Sequence, residues 1–261
     1  MARTPRWTEG PFTDGVQIVT ISHWKWYADY INQEMLDYTT YIYRGHGNSF
    51  WKLEPTLDRI IRNPRSAKRE RHLNSFKFAV RGRRGSNLAL LVNENDWWAL
   101  GQHHGLKTPL LDWTESPFVA LYFAIVKALT EAGSTCCVWA LSQSTIDANS
   151  KKIEADASVK SILGRKPIVE IVRPMSDENS RLVNQRGLFT RGPNNMDLEK
   201  WIQTYYKKNN SMDLIKLVLP KTGANDCLRY LNRMNINHAT LFPDLYGASH
   251  FCNMGLQIAK Y

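Results

Sequence analysis

The sequence predicts an α+β protein that folds as one domain over residues 1–261. Its 261 residues, of which 43% are hydrophobic, are enough to bury a complete core. Strand-like and helix-like segments are mixed along the chain without a regular βαβ rhythm. The chain contains neither Gly-x-Gly-x-x-Gly nor a P-loop motif, so a Rossmann or P-loop nucleotide site is not expected.

The predicted strands are short apolar runs that end at glycine, proline or polar residues. They cover 15–21, 40–44, 108–111, 135–141, 168–172, 188–191 and 213–219. The predicted helices are longer periodic segments, several of which begin at a capping residue or a proline. They cover 22–38, 63–80, 93–104, 118–129, 197–206, 225–234 and a last stretch that ends near 258. Residues 50–59 are expected to form a loop, and the polar segment 142–166 a surface insertion or lid.

The stretch 102–124 is the most informative part of the chain. Residues 108–111 are too few and too β-like for a helix, so they predict a buried strand. Ser116 and Pro117 are typical of a helix start, since serine can accept an unpaired N–H and proline has none to lose. The helix that follows is apolar on nearly every face, which indicates burial on most sides.

Residues 112–115 are expected to form a loop between this strand and this helix. A loop held by two buried elements positions its polar groups well, and site residues concentrate on such loops. Asp112 and Thr114 are therefore candidate site residues. The simpler interpretation is that both side chains only cap the helix.

The positive charge is concentrated in segment 59–84. This segment holds ten lysines and arginines against the single acid Glu70, whereas the whole chain has a net charge of +10. A solvated helix face would usually mix both signs, so the bias favours an anionic partner, most simply a phosphate backbone of RNA or DNA. The candidate nucleic-acid contacts are Arg62, Arg65, Lys68, Arg69, Arg83 and Arg84.

Several classes of protein are not expected. No apolar run is long enough to cross a bilayer, and the first residues do not resemble a signal peptide. The four cysteines show no Cys-x-x-Cys spacing, so we expect no metal site and a reduced, cytoplasmic setting.

Four segments of the chain form a recognisable set. They are Tyr43-Arg44-Gly45 with Trp51, Leu53, Pro55 and Arg59; 102–124; Arg181 with Gln185 and 187–190; and Leu241-Phe242-Pro243-Asp244-Leu245. Together they resemble the FRG domain family, and the resemblance spans roughly 41–247. The family is named after a Phe-Arg-Gly motif, in which this chain has tyrosine in place of phenylalanine.

The order of elements in this family is similar to that of the ADP-ribosyltransferase fold. The resemblance therefore implies a split mixed or antiparallel sheet with flanking helices. Arg44 resembles the residue that holds NAD in that fold, while Thr114 and Ser116 resemble the strand and helix start that shape its nicotinamide pocket. Gln185 stands where a glutamate is usual, which keeps a hydrogen bond to ribose but removes the charge. The usual Ser-Thr-Ser triplet is absent.

The resemblance implies NAD as a substrate and assigns roles to nine residues. Asp112 could act as a base or stabilise a developing cation, assisted by Thr114 and Gln185. The implied NAD contacts are Tyr43, Arg44, Gly45, His104, Trp113 and Ser116. Structural alternatives remain open for most of these residues. Arg44 could pair with Asp58 or Asp112, Gln185 could satisfy backbone groups, either aromatic ring could pack in the core, and Asp244 is expected to cap a helix.

The first functional hypothesis is an NAD-dependent ADP-ribosyltransferase-like enzyme that modifies RNA or DNA. The resemblance suggests a bacterial toxin or anti-phage effector, for which an inhibitory antitoxin protein is a conceivable partner. The second is a non-catalytic nucleic-acid or nucleotide-binding module with a degenerate NAD pocket. A metal nuclease is disfavoured, because no carboxylate cluster has metal-ligand spacing.

Overall fold

The computed structural model describes residues 4–84, 90–174, 180–206 and 211–261 and confirms the α+β prediction. Its strands are β1 (Trp7–Thr13), β2 (Val16–Ile21), β3 (Tyr41–His46), β4 (Leu110–Thr114), β5 (Thr135–Ser142), β6 (Glu170–Val172), β7 (Gly187–Arg191) and β8 (Leu214–Pro220). Its helices are α1 (Lys25–Tyr30), α2 (Thr56–Ile60), α3 (Lys68–Ala79), α4 (Glu94–His103), α5 (Pro117–Ala128), α6 (Gln143–Ala155), α7 (Ser180–Asn184), α8 (Leu198–Tyr205), α9 (Ala224–Arg233), α10 (His238–Leu241) and α11 (Leu245–Gln257). A π-helical turn, Ile31–Met35, continues α1.

The strands form one mixed sheet in the order β1-β2-β8-β5-β3-β4-β7-β6. Within the described ranges β2 and β8 run parallel, and every other neighbouring pair is antiparallel. Helices lie on both faces, as expected for a sheet whose central strands are buried on both sides.

Three apolar clusters fill the space between helices and sheet. The first contains α5 and is completed by side chains from α1, α9, α10 and α11. The second lies on the opposite face and includes Trp139, Ile146 and Trp201, from β5, α6 and α8. The third joins α2, α3 and α4 to β4, β6 and β7 around Leu73 and Trp98.

Helix α5 is the buried central helix that the sequence predicts. Ser116 caps it by accepting a hydrogen bond from the backbone N–H of Val119 at 3.3 Å, and Pro117 occupies the first helical position. Ala120 and Ala124 are fully buried, because the helix lies directly on β3.

The expected loop 112–115 is largely strand. Strand β4 continues to Thr114, because it stays paired with β7 as far as Gly187. Asp112 therefore sits within a strand, and the interpretation of its side chain as a helix cap is wrong, since Ser116 is the cap.

Two further predictions are corrected. Most of the expected lid 142–166 is α6, which packs Ile146 and Ile153 into the second cluster. The expected loop 50–59 contains the single helical turn α2, whose Leu57 and Asp58 are buried.

Strand β1 was not predicted. Most of its residues are exposed, so it lacks the alternation that marks a half-buried strand. It is joined to β2 by Asp14 and Gly15, whose φ angles of 46° and 85° form the two-residue turn favoured by Asp-Gly.

Candidate functional site

The sheet is almost divided between β3 and β4. These strands share one residue pair, Tyr43 with Thr114, while β3 remains paired with β5 and β4 with β7. A continued antiparallel ladder would place Gly45 opposite Asp112, but the strands diverge before that point. The side chain of Arg44 bridges the gap, because its Nη1 donates to the main-chain oxygen of Asp112 at 2.5 Å.

A cleft of about 160 Å³ lies where the end of α4, β4, α7 and β7 meet, and we call it the Asp112 cleft. Three of the four segments that carry the family resemblance contribute residues to its lining. Arg44, from the remaining segment, donates a hydrogen bond to the main-chain oxygen of Asp112 in that lining. The lining residues are Gln102, His103, Asp112, Trp113, Arg181, Leu182, Gln185, Gly187, Leu188, Phe189 and Phe242.

Asp112 presents an exposed carboxylate that is nevertheless held in place. Its side chain is 61% exposed. Oδ1 accepts a hydrogen bond from Nε2 of Gln102 at 2.6 Å, and Oδ2 lies 3.4 Å from Nη1 of Arg44. The hydroxyl of the buried Thr108 donates to the amide oxygen of Gln102 and fixes that side chain in turn. The carboxylate is therefore oriented from two sides while remaining open to a ligand.

Arg44 supports Asp112 from behind and does not line the cleft. Its side chain is 19% exposed, and its Nε donates to Nε2 of His46 at 3.1 Å. Burial, with a smaller contribution from the Arg44 charge, lowers the pKa of His46 to about 2. His46 is therefore neutral and can accept this hydrogen bond. Of the two carboxylates expected as structural partners of Arg44, the structure pairs it with Asp112, since Asp58 pairs with Arg69.

Arg181 forms the second charged group of the cleft. Its Nε and Nη2 both donate to Oδ2 of Asp244, at 2.8 and 2.5 Å. The guanidinium also lies over the rings of Phe242 and Tyr246, with centroid distances of 5.3 and 5.4 Å. Asp244 caps α11 as predicted, and the N–H of Gly247 followed by Arg181 lowers the pKa of its carboxyl. The cap of one helix thus positions a cation at the cleft.

Gln185 and Thr114 connect the cleft to its scaffold. Nε2 of Gln185 donates to the backbone oxygen of Leu241 at 3.0 Å. The hydroxyl of Thr114 donates to the backbone oxygen of Gln185 at 2.6 Å and accepts the N–H of Ser116 at 3.0 Å. Thr114 is 3% exposed, so its hydroxyl ties β4 to α7 and to the start of α5.

Comparison with known proteins identifies one family. The family model named FRG domain matches residues 39–133, from β3 through α5. Residues 39–133 are an FRG domain. No curated protein and no solved structure matches the chain. The match includes Arg44, Gln102 and Asp112, whereas Arg181 and Gln185 lie beyond it.

The glycine of the Tyr-Arg-Gly signature in this FRG domain has a packing role. A Cβ at Gly45 would lie 2.1 Å from the backbone oxygen of Ala120 and 2.5 Å from the backbone nitrogen of Ala124. Only glycine allows α5 to approach β3 so closely. The signature therefore combines a residue that admits the central helix with the arginine that supports Asp112.

The rings of Tyr43 and Trp113 are core residues. Tyr43 packs in the first cluster, where burial raises the pKa of its phenol to about 12. Trp113 touches the wall of the cleft, but it is 3% exposed and its indole N–H donates to the hydroxyl of Thr190 at 2.9 Å. Phe189 also touches the cleft but is likewise 3% exposed, whereas Phe242 is only partly buried.

Two further predicted NAD contacts lie outside the cleft. Ser116 caps α5 and borders a different surface depression. His104 is exposed, whereas its neighbour His103 lines the cleft. Burial, together with the charges of His104 and Arg181, lowers the pKa of His103.

The basic segment 59–84 is divided between structural and exposed cations. Arg69 is 8% exposed, and its Nη1 donates to Oδ1 of the buried Asp58 at 2.6 Å, so the prediction that it contacts nucleic acid is wrong. Arg62 pairs with Glu54 at 2.6 Å, and the guanidinium of Arg84 lies over the ring of Trp97. The side chains of the remaining candidates are exposed; they are Arg65, Lys68 and Arg83.

Sequence reasoning assigned no site role to the polar Gln102 and Arg181 or to Phe242. All three belong to the segments that resemble the family, which is the signal that could have found them. Among the described residues there is no group of three or more His, Cys, Asp or Glu that could hold a metal ion. Over the same residues, no helix has the length and apolar character needed to span a membrane.

Proposed function

We propose that the Asp112 cleft transfers ADP-ribose from NAD to an acceptor. The observation that carries this proposal is the carboxylate of Asp112, which is open to a ligand yet held by Gln102 and Arg44. A carboxylate fixed in this way can act on a reacting atom without first reorganising. The cleft lies at the division of the sheet, and its lining includes Asp112 and Gln185, two residues to which the family resemblance assigns catalytic roles.

The proposed reaction breaks the bond between nicotinamide and C1 of its ribose. Neutral nicotinamide leaves with the electron pair of that bond, so positive charge develops on the ribose. Asp112 stabilises this charge and accepts the proton of the acceptor hydroxyl or amine as the new bond to C1 forms. Phe242, which is only partly buried, provides an apolar wall that can pack against the nicotinamide ring.

The size of the cleft limits which part of NAD can enter. Its volume of about 160 Å³ is well below the roughly 300–1,000 Å³ of sites that enclose a whole small molecule. We propose that the nicotinamide end enters, while the diphosphate stays outside near Arg181. Nε and Nη2 of Arg181 are committed to Asp244, which orients the guanidinium, and its Nη1, which makes neither bond, can donate to an anionic oxygen.

We propose a nucleic acid as the acceptor. The net charge of +10 and the exposed Arg65, Lys68 and Arg83 favour a phosphate-rich partner. The single-stranded ends and loops of RNA, or single-stranded DNA, would expose a hydroxyl or base amine to a small cleft more readily than a duplex would.

A nucleotide-binding module without catalysis is the second candidate. It is favoured by the commitment of Thr114 and Gln185 to backbone partners and by the absence of a glutamate at position 185. Such a module would use the same cleft for binding and would leave the nicotinamide bond intact.

One experiment separates the two candidates. The full chain is incubated with NAD labelled in its adenylate part, together with RNA, single-stranded DNA, duplex DNA or a cell lysate. Label that becomes covalently attached to an acceptor supports the transferase. NAD that is bound but recovered intact, with no label on any acceptor, contradicts it and supports the module.

A further inference from the structure

A second and larger cavity, of about 440 Å³, lies between α3, the first half of α4, the end of β7 and residues 162–168. We propose that this cavity, which we call the α3 cleft, binds a phosphorylated nucleotide. It shares no lining residue with the Asp112 cleft. Its volume falls within the range of about 300–1,000 Å³ that is typical of small-molecule sites. The inference does not depend on the proposed transferase activity.

The charge of the α3 cleft favours an anion. The carboxylates in its lining are Glu70 and Glu94. The cations in its lining are Arg65, Arg69, Lys77, Arg165, Lys166 and Arg191.

Half of these cations are matched by carboxylates. Arg69 pairs with Asp58 at 2.6 Å, Arg191 with Glu94 at 2.7 Å, and Arg165 with Glu170 at 3.1 Å. These pairs neutralise much of their own charge, so they shape the walls of the cleft more than they attract a ligand.

The other three cations keep their charge. Within the described part of the chain, Arg65, Lys77 and Lys166 have no carboxylate at ion-pair distance. Nζ of Lys166 donates to three backbone oxygens at the end of α6, so it contributes charge to the cleft but no free N–H, and Lys77 lies over the ring of Trp97. Glu70 offsets one of the three charges, so the cleft retains a positive surplus that can attract a phosphate group.

Much of the remaining lining is apolar, which favours a ligand that has an apolar part in addition to a phosphate group. Buried Leu57, Leu73 and Trp98 belong to its floor. Ile162 and Leu163 form another part of the wall and are 38% and 64% exposed. A flat, weakly polar base between such walls, with its phosphate near the cations, would match both parts of the lining.

The wall that carries Ile162 and Leu163 is a tight two-residue turn. The backbone groups of Ile162 and Arg165 exchange hydrogen bonds of 2.9 and 3.1 Å. The two residues between them, Leu163 and Gly164, have φ angles of +50° and +76°. Leucine is disfavoured in this conformation, which glycine and asparagine adopt more readily. Strained backbone conformations cluster at ligand-binding positions, and Leu163 is the residue of this kind whose apolar side chain lines the cleft.

The test is calorimetric binding of ADP to the full chain, with adenosine as the ligand that lacks phosphate. We expect ADP to bind and adenosine to bind at least about tenfold more weakly, because charge-assisted contacts are lost. The double variant Arg65→Ala/Lys77→Ala should weaken ADP binding by about tenfold or more. Arg71→Ala is the matched control, since Arg71 is an exposed cation of α3 outside the cleft and its removal should leave the affinity unchanged.

A second variant separates ligand contact from folding. Leu163→Asn relieves the strained φ and should raise the thermal midpoint while it weakens ADP binding. The inference is overturned if ADP does not bind at millimolar concentration, or if Arg65→Ala/Lys77→Ala binds it as well as Arg71→Ala does. It is also overturned if Arg181→Ala, in the Asp112 cleft, abolishes ADP binding while the double variant does not.

Discussion

Arg69 shows how a side chain in a basic segment can serve the fold. It is the one arginine of segment 59–84 that pairs with a buried carboxylate among the described residues, and it also donates to the backbone oxygen of Ile61 and to Asn195. Asp58 in turn accepts the backbone N–H of Asn195 at 3.0 Å. The group joins α2, α3 and the segment after β7.

Removal of Arg69 should destabilise the protein strongly. Arg69→Ala leaves the carboxylate of Asp58 buried without its ion-pair partner, which typically costs about 3–5 kcal/mol. Arg71→Ala, at an exposed position of the same helix, should change the free energy of unfolding by no more than about 0.5 kcal/mol. Urea unfolding of both variants measures the difference, and similar midpoints would show that the buried pair contributes little.

Sequence reasoning at the scale of residues succeeded where a side chain acts on residues close to it in the sequence. The caps Ser116 and Asp244 were predicted because a capping side chain bonds to its own neighbours. Trp113 and Tyr43 were assigned to NAD, yet both pack in the core. Successive side chains along β3 and β4 point to opposite faces of the sheet, so the direction of each ring depends on its position in the strand. The sequence did not define where β4 ends.

At the scale of elements, the approach of α5 to β3 determines the geometry of the site. Gly45 admits the helix, and the adjacent Arg44 reaches across the division of the sheet to Asp112. The bounds of β4 could not be predicted, because its continuation through Thr114 depends on pairing with β7, more than 70 residues away. Helix α6 was missed for a similar reason: it is polar overall, and its few apolar residues are stabilised by contacts distant in sequence.

Gly45→Ala should disrupt this packing. The new Cβ would lie 2.1 Å from a backbone oxygen of α5, so the helix must shift, and we expect a loss of about 3 kcal/mol or more. Gly255→Ala is the control, because Gly255 lies in α11 with nothing within 4 Å of the added Cβ. That change should stabilise by about 1 kcal/mol through helix propensity. Equal effects of the two substitutions on thermal unfolding would contradict the close approach.

At the scale of the whole molecule, two buried histidines make stability depend on pH. Burial, followed by the effect of His250, lowers the pKa of His238 to about 4. His238 also shares a hydrogen bond of 2.5 Å with the hydroxyl of Tyr122. Burial likewise lowers the pKa of His46 to about 2. Both rings are therefore neutral in the folded protein at pH values where an unfolded histidine, with a pKa near 6.5, is already protonated.

The free energy of unfolding should accordingly fall as the pH is lowered from about 6.5 towards 4. In this range the unfolded chain binds protons that the folded chain does not. In His238→Gln the dependence should be shallower by up to about 1.4 kcal/mol per pH unit, the value for one linked proton. Urea midpoints between pH 4.5 and 7.5 measure the slope, and an unchanged slope in the variant would rule out a neutral, buried His238.

The central claim is that the carboxylate of Asp112 performs chemistry on NAD, and nicotinamide release tests it most directly. The rate is compared for the wild-type protein, Asp112→Asn and the control Asp226→Asn, which changes an equally exposed aspartate on α9. We predict a loss of about 100-fold or more in Asp112→Asn, as expected for a base or charge-stabilising group, with unaltered thermal unfolding and a normal rate in the control. Release of nicotinamide by Asp112→Asn at the wild-type rate would contradict the account.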